Sequence, residues 1–161
     1  MRLAESNAMV RYIGKTYRGM NGELLYPDNS QPELMQRIDS ILEWSTDFLM
    51  TYGPFTVKTN PQYYRRDELT KAFLDTKLSQ MLKLLQNLKK KRSIYLCADY
   101  ITLADLVAWN HFWKICFNEQ SETPKAEILK VISQFPDLKY WNETMSKDLS
   151  SITPNFMKSP F

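Results

Sequence analysis

Glycine is scarce in this sequence, with four among 161 residues. Sheet-and-turn architectures use glycine at their corners, so the scarcity argues against an all-β fold. Histidine is scarcer still. With His111 alone, metal clusters of several histidines and a Ser–His–Asp triad both lack material. The two cysteines, Cys97 and Cys116, lack the Cys-x-x-Cys spacing of a redox or zinc site. No apolar run is long enough to span a bilayer, and no signal-peptide core follows Met1. The net charge is only +3, and Lys and Arg are interleaved with Asp and Glu. That pattern does not supply the basic stripe a nucleic-acid binder needs. These absences lead to the expectation of one soluble domain with free thiols in a reducing, cytoplasmic compartment, without a metal or a membrane span.

What the sequence does have is helical periodicity. Residues 5 to 18 place Ala8, Met9, Tyr12 and Ile13 on one face. A loop containing Gly19, Gly22 and "YPDNSQP" follows, and Pro32 then occupies a first-turn position where its missing N–H costs little. The second helix carries Leu34, Ile38, Ile41, Leu42, Phe48 and Leu49 and is expected to end near Tyr52, at "YGPFTVKTNPQ". A third is expected to run unbroken from about Gln62 to Lys90, burying Leu69, Phe73, Leu78, Leu82, Leu85 and Leu88. Its "KKKR" end at 89 to 92 reads as a solvated helix terminus, with cations where the helix dipole is negative. A fourth runs from Thr102 to near Phe117. A fifth begins at "TPKAE", with Thr123 as cap and Pro124 as first helical residue, and a sixth runs from Pro136 to about Lys147. The expected fold is an all-α bundle without internal repeats.

The sharpest local signal is "YITLADLVAWN" at 100 to 110. Thr102 is placed to cap a helix, and Asp105, three residues on, reaches back to the Thr102 N–H. This is a capping box with Asp in place of Glu. Ile101 before the cap and Leu106 at the fourth helical position suit a hydrophobic staple.

With its flanks, "YLCADYITLADLVAWN" resembles the segment leading into the core helix of the C-terminal domain of glutathione transferases, where a Thr/Ser-x-x-Asp box is a hallmark. "ESNAMVRYIG" is similar to the stretch that ends the family's thioredoxin-like domain, and "FPDLKYWNETM" to its late Phe-Pro-x-Leu-x-x-Trp segment. The three motifs fall in family order. "RIDSILEWSTDFL" has theta- and mu-like character, and the tail "LSSITPNFMKSPF" resembles mu-class endings. Ala98 stands where the family usually has glycine before Asp99. The resemblance implies that residues 1–19 are the last helix of a thioredoxin-like domain and residues 20–161 a transferase C-terminal-like helical domain. It also implies that the rest of the thioredoxin-like domain, with its thiolate-stabilising residue, is what normally precedes Glu5.

The same resemblance assigns remnant glutathione-binding roles to Glu5, Ser6 and Asp39. Ser6 at a helix N-terminus suits a carboxylate, and Glu5 suits the ligand's ammonium group. Asp39 matches an aspartate that reaches the γ-glutamyl amine across a dimer. Tyr52 is a candidate lining residue of the hydrophobic substrate pocket. No catalytic residue is assigned, no cofactor is expected, and glutathione is at most a weak ligand or co-substrate. Two functions follow. One is a protein-interaction or structural module, covered on its vacated face by a partner protein or a second copy. The other is a glutathione transferase whose catalytic half lies outside this sequence.

Overall fold

The computed structural model describes residues 6–19, 22–118 and 121–149. Helix α1 spans Ser6–Thr16 and α2 spans Pro32–Thr56. A 3-10 turn at Tyr63–Arg65 leads into α3, Arg66–Ala72, which continues through a π-helical turn at Phe73–Lys77 into α4, Leu78–Leu88. Helix α5 spans Leu103–Phe112 and ends in a second π-helical turn, Trp113–Phe117. Helices α6, Lys125–Ile132, and α7, Pro136–Asp148, complete the bundle. Among the described residues the one isolated β-bridge joins Arg18 to Leu24 across the α1–α2 loop. In that loop Gly22 has φ +85°, a left-handed conformation that side chains disfavour.

Helix α5 is the axis of the fold. Leu103, Ala104, Asp105, Ala108, Trp109, His111 and Phe112 are all buried, so it is covered nearly all round, as expected of a central helix. Ala104 and Ala108 allow close approach of neighbouring helices, and α2 makes the most extensive packing against α5. An aromatic core forms between them. Trp44 stacks on Phe48 at 4.8 Å between ring centroids, Phe48 lies 6.1 Å from Phe112, and Phe112 meets Trp141 of α7 edge-on at 5.4 Å. The Trp44 indole N–H donates to the Met81 carbonyl at 2.8 Å, tying α2 to α4.

Three local expectations are corrected. First, α2 does not stop at Tyr52. It runs through Pro54 to Thr56, where the Val57 N–H closes it on the Gly53 carbonyl at 3.0 Å. Proline in a helix leaves the carbonyl four residues back without its N–H donor, here that of Met50, a residue on the exposed side of α2.

Second, the rod from Arg66 to Leu88 is continuous but not uniformly α-helical. Its buried side chains Phe73, Leu78, Leu82 and Leu85 leave a five-residue gap after Phe73. An α-helix turns about 100° per residue, so a gap of five would rotate Leu78 well off the face. The wider π turn over Phe73–Lys77 restores the register.

Third, Thr123 does not cap α6. Its hydroxyl donates to the Ile115 carbonyl at 2.6 Å, and Pro124 is the residue that precedes the first helical turn. The last turn of the π segment takes the hydroxyl that a cap would have used.

Candidate functional site

At the α5 N-terminus the capping box is in place. The Asp105 Oδ2 accepts the Thr102 N–H at 2.9 Å and the Thr102 hydroxyl at 2.7 Å. Its Oδ1 accepts the Leu96 N–H at 2.8 Å and the Trp141 indole N–H at 2.9 Å. One buried carboxylate thus joins the 89–102 loop, the start of α5 and the middle of α7. Burial pushes its pKa up against the pull of those donors. Ile101 and Leu106 both lie half-buried against the core, in the staple positions. Neither the Leu96 nor the Trp141 bond has a sequence signature, because both partners are distant in the chain.

Helix α1 is held on α2 by a polar clamp. The Arg11 Nε donates to Asp39 Oδ1 at 2.7 Å, and a second guanidinium nitrogen lies 3.4 Å from Glu43. The Asn7 amide donates to Thr46 at 3.2 Å. The Tyr26 hydroxyl donates to both Asp39 oxygens at 3.0 Å, and burial first, then Asp39, holds that phenol above its ordinary pKa, so it donates as a neutral group. Gly14 completes the contact. A Cβ there would stand 2.8 Å from the Tyr26 Cβ, and the Gly14 carbonyl accepts the Tyr26 N–H at 3.0 Å.

These contacts fix which face of α1 points inward. Asn7, Val10, Arg11 and Gly14 follow a three-and-four spacing and face the bundle. The opposite stripe points to solvent, with Met9 41%, Tyr12 51% and Ile13 48% exposed, and Tyr17 just beyond it 62% exposed. The amphipathic helix is docked by its more polar side.

The residues assigned from sequence lie as follows. Glu5 is outside the described residues. Ser6 is the exposed first residue of α1. Asp39 is half-buried and engaged by Arg11 and Tyr26, with no bond to Ser6. Tyr52, the candidate pocket-lining residue, lies in the interior of the bundle. It is 2% exposed, and its hydroxyl lies 2.7 Å from His111 Nδ1 in the aromatic core. Burial depresses His111 to about 4 and raises the Tyr52 phenol, so both are neutral near pH 7 and share one hydrogen bond. Cys97 and Cys116 are buried, and burial pushes each thiol up to about 12, which leaves little thiolate for nucleophilic chemistry. Among the described residues no group of three or more His, Cys, Asp or Glu side chains is arranged to hold a metal. No helix among them is long and apolar enough to cross a membrane.

A family model, that of the glutathione S-transferase C-terminal domain, matches residues 46–149. The chain belongs to this family. The match takes in Phe48, Phe112 and Trp141 of the aromatic core, both π turns and the capping box, and begins two residues after Trp44. A search of curated proteins finds no match.

Proposed function

We propose that this glutathione transferase-like domain acts as a protein-interaction module, with the outer face of α1 as its docking surface. One observation carries the reading: an amphipathic helix clamped to the bundle through Asn7, Arg11 and Gly14 while Met9, Tyr12 and Ile13 face outward. Fully burying a large apolar side chain is worth about 1.5–3 kcal/mol, so covering the exposed half of each is worth on the order of 1 kcal/mol. Contiguous apolar surface of this kind marks interfaces. In the absence of another partner, two copies pair through α1 and α2. In this reading residues 1–19 are the closing helix of a thioredoxin-like unit, residues 20–161 form the helical domain, and the setting is cytoplasmic. The sealed thiols and the buried Tyr52–His111 pair support a role without catalysis by these groups.

Static light scattering of the full chain tests this. The expected mass exceeds the 19.0 kDa of one copy, and Tyr12→Glu with Ile13→Glu returns it to that value. A monodisperse wild-type monomer that binds no apolar dye would overturn the reading.

Family membership itself favours a second reading, glutathione conjugation to electrophiles by a lowered-pKa thiolate, with Glu5, Ser6 and Asp39 contributing to the γ-glutamyl site. Asp39 keeps a 38% exposed side chain that such a ligand could reach. Calorimetric titration with glutathione separates the two readings, since micromolar affinity belongs to the second.

A further inference from the structure

Where α4 gives way to the loop before α5, a cavity of about 450 Å³ opens between that loop and the first turns of α7. Lys89, Lys90, Lys91 and Arg92 line it, together with Tyr140 and, from the start of α7, Asp137. Four basic residues thus border a space of small-molecule size with a single carboxylate, Asp137, among the lining residues. Lys90 is paired, its Nζ 3.0 Å from Asp99, and the Lys89 ammonium donates to the Ser93 carbonyl. Lys91 and Arg92 are exposed and make no ion pair among the described residues, which leaves both side chains available to a ligand.

The loop that carries them is fixed at several points. The Lys90 N–H donates to the Leu96 carbonyl at 2.7 Å, the Ser93 hydroxyl donates to the Ala98 carbonyl, and the Leu96 N–H is held by Asp105. The Ser93 N–H donates to the Lys90 carbonyl at 3.3 Å, closing a four-residue turn with Arg92 in its third position at φ 65°. Glycine or asparagine normally takes that position, because a left-handed backbone strains a longer residue. Arginine therefore sits there at a conformational cost, on a loop tied down by these hydrogen bonds. Strain of this kind beside a charged cavity makes Arg92 a candidate functional position.

We propose that this cavity binds a phosphate-bearing anion, with Arg92 gripping the phosphate through its planar fork and Lys91 adding a second, mobile charge. Two adjacent oxygens of a phosphate match the guanidinium geometry, which a carboxylate-poor, lysine-lined wall reinforces. The cavity's size favours a soluble small molecule over a macromolecule.

Isothermal titration of the full chain with inorganic pyrophosphate in low-salt buffer tests the proposal. Wild type should show saturable one-site binding that weakens as salt rises. Lys91→Gln combined with Arg92→Gly should weaken it at least tenfold. Glycine suits the left-handed turn, so this variant should unfold at or above the wild-type midpoint; Lys91→Gln alone serves if it does not. Lys71→Gln, at the far end of the same rod, should bind as wild type does. Vesicles of phosphatidylcholine with phosphatidylinositol 4-phosphate form the second arm. Sedimentation with them that pyrophosphate displaces would make a lipid headgroup the source of the phosphate, whereas binding of pyrophosphate alone assigns a soluble one. Absence of saturable pyrophosphate binding, or equal weakening by Lys71→Gln, would overturn the proposal.

Discussion

Replacing Asp105 with alanine removes the acceptor for four donors at once: the Leu96 and Thr102 N–H groups, the Thr102 hydroxyl and the Trp141 indole. The hydroxyl can rotate to another acceptor. The other three are fixed by the backbone or by a fully buried ring. A buried donor left without a partner costs about 1–3 kcal/mol, so three imply a loss on the order of 3–5 kcal/mol after the carboxylate's own desolvation is relieved. Asp105→Asn separates hydrogen bonding from packing. The amide keeps the shape, but its NH₂ must face one of the two donor pairs, so about 2 kcal/mol should be lost. Thr102→Ala, which removes one hydroxyl at the same helix start, should cost roughly 1–2 kcal/mol. Urea unfolding followed by tryptophan fluorescence reads all three. An Asp105→Ala protein within 1 kcal/mol of wild type would refute the claim that this carboxylate joins the loop, α5 and α7.

Three further outcomes follow from other parts of the bundle. His111 is depressed to about 4 by burial, so the folded state binds fewer protons than the unfolded chain between that value and the ordinary histidine pKa near 6.5. Its contribution is therefore complete above about pH 6.5 and falls by up to about 3 kcal/mol as pH drops towards 4; His111→Gln should flatten that part of the stability–pH curve, and an unchanged curve would count against the buried neutral imidazole. Gly14→Ala should destabilise by about 1–3 kcal/mol, because its methyl would meet the Tyr26 Cβ at 2.8 Å, and circular dichroism during denaturation should show α1 releasing first. Glutathione titrated calorimetrically into the chain should bind no tighter than millimolar, since Asp39 is already engaged by Arg11 and Tyr26; micromolar binding would restore the transferase reading.

The all-helical class and the order of the helices were legible because apolar positions recur at three-and-four spacing and the capping box is local. The π turn at Phe73–Lys77 was legible in principle, through the five-residue gap between Phe73 and Leu78, but a periodicity reading that tolerates drift passes over it. Continuation of α2 through Pro54 was not legible, since whether a proline ends a helix depends on how the freed carbonyl is solvated. The candidate site was read only in part. The apolar stripe of α1 was plain, but its direction depends on Arg11 reaching Asp39 and on Tyr26 closing over Gly14, contacts between residues far apart in sequence. Tyr52 was singled out through the family resemblance as a pocket-lining residue; its contact with His111, 59 residues away, has no local sequence signal.

Methionine oxidation offers the most direct test of the central claim, that the outer face of α1 is a docking surface. Met9 lies on that face at 41% exposure, and a free methionine derivative added at fixed concentration serves as the reference. The full chain is exposed briefly to hydrogen peroxide over a range of protein concentrations, and oxidation of Met9 and of the reference is quantified by mass spectrometry. The account predicts that Met9 becomes protected relative to the reference as concentration rises, and that Tyr12→Glu with Ile13→Glu abolishes the protection. Oxidation of Met9 and the reference in a constant ratio at every concentration would contradict it.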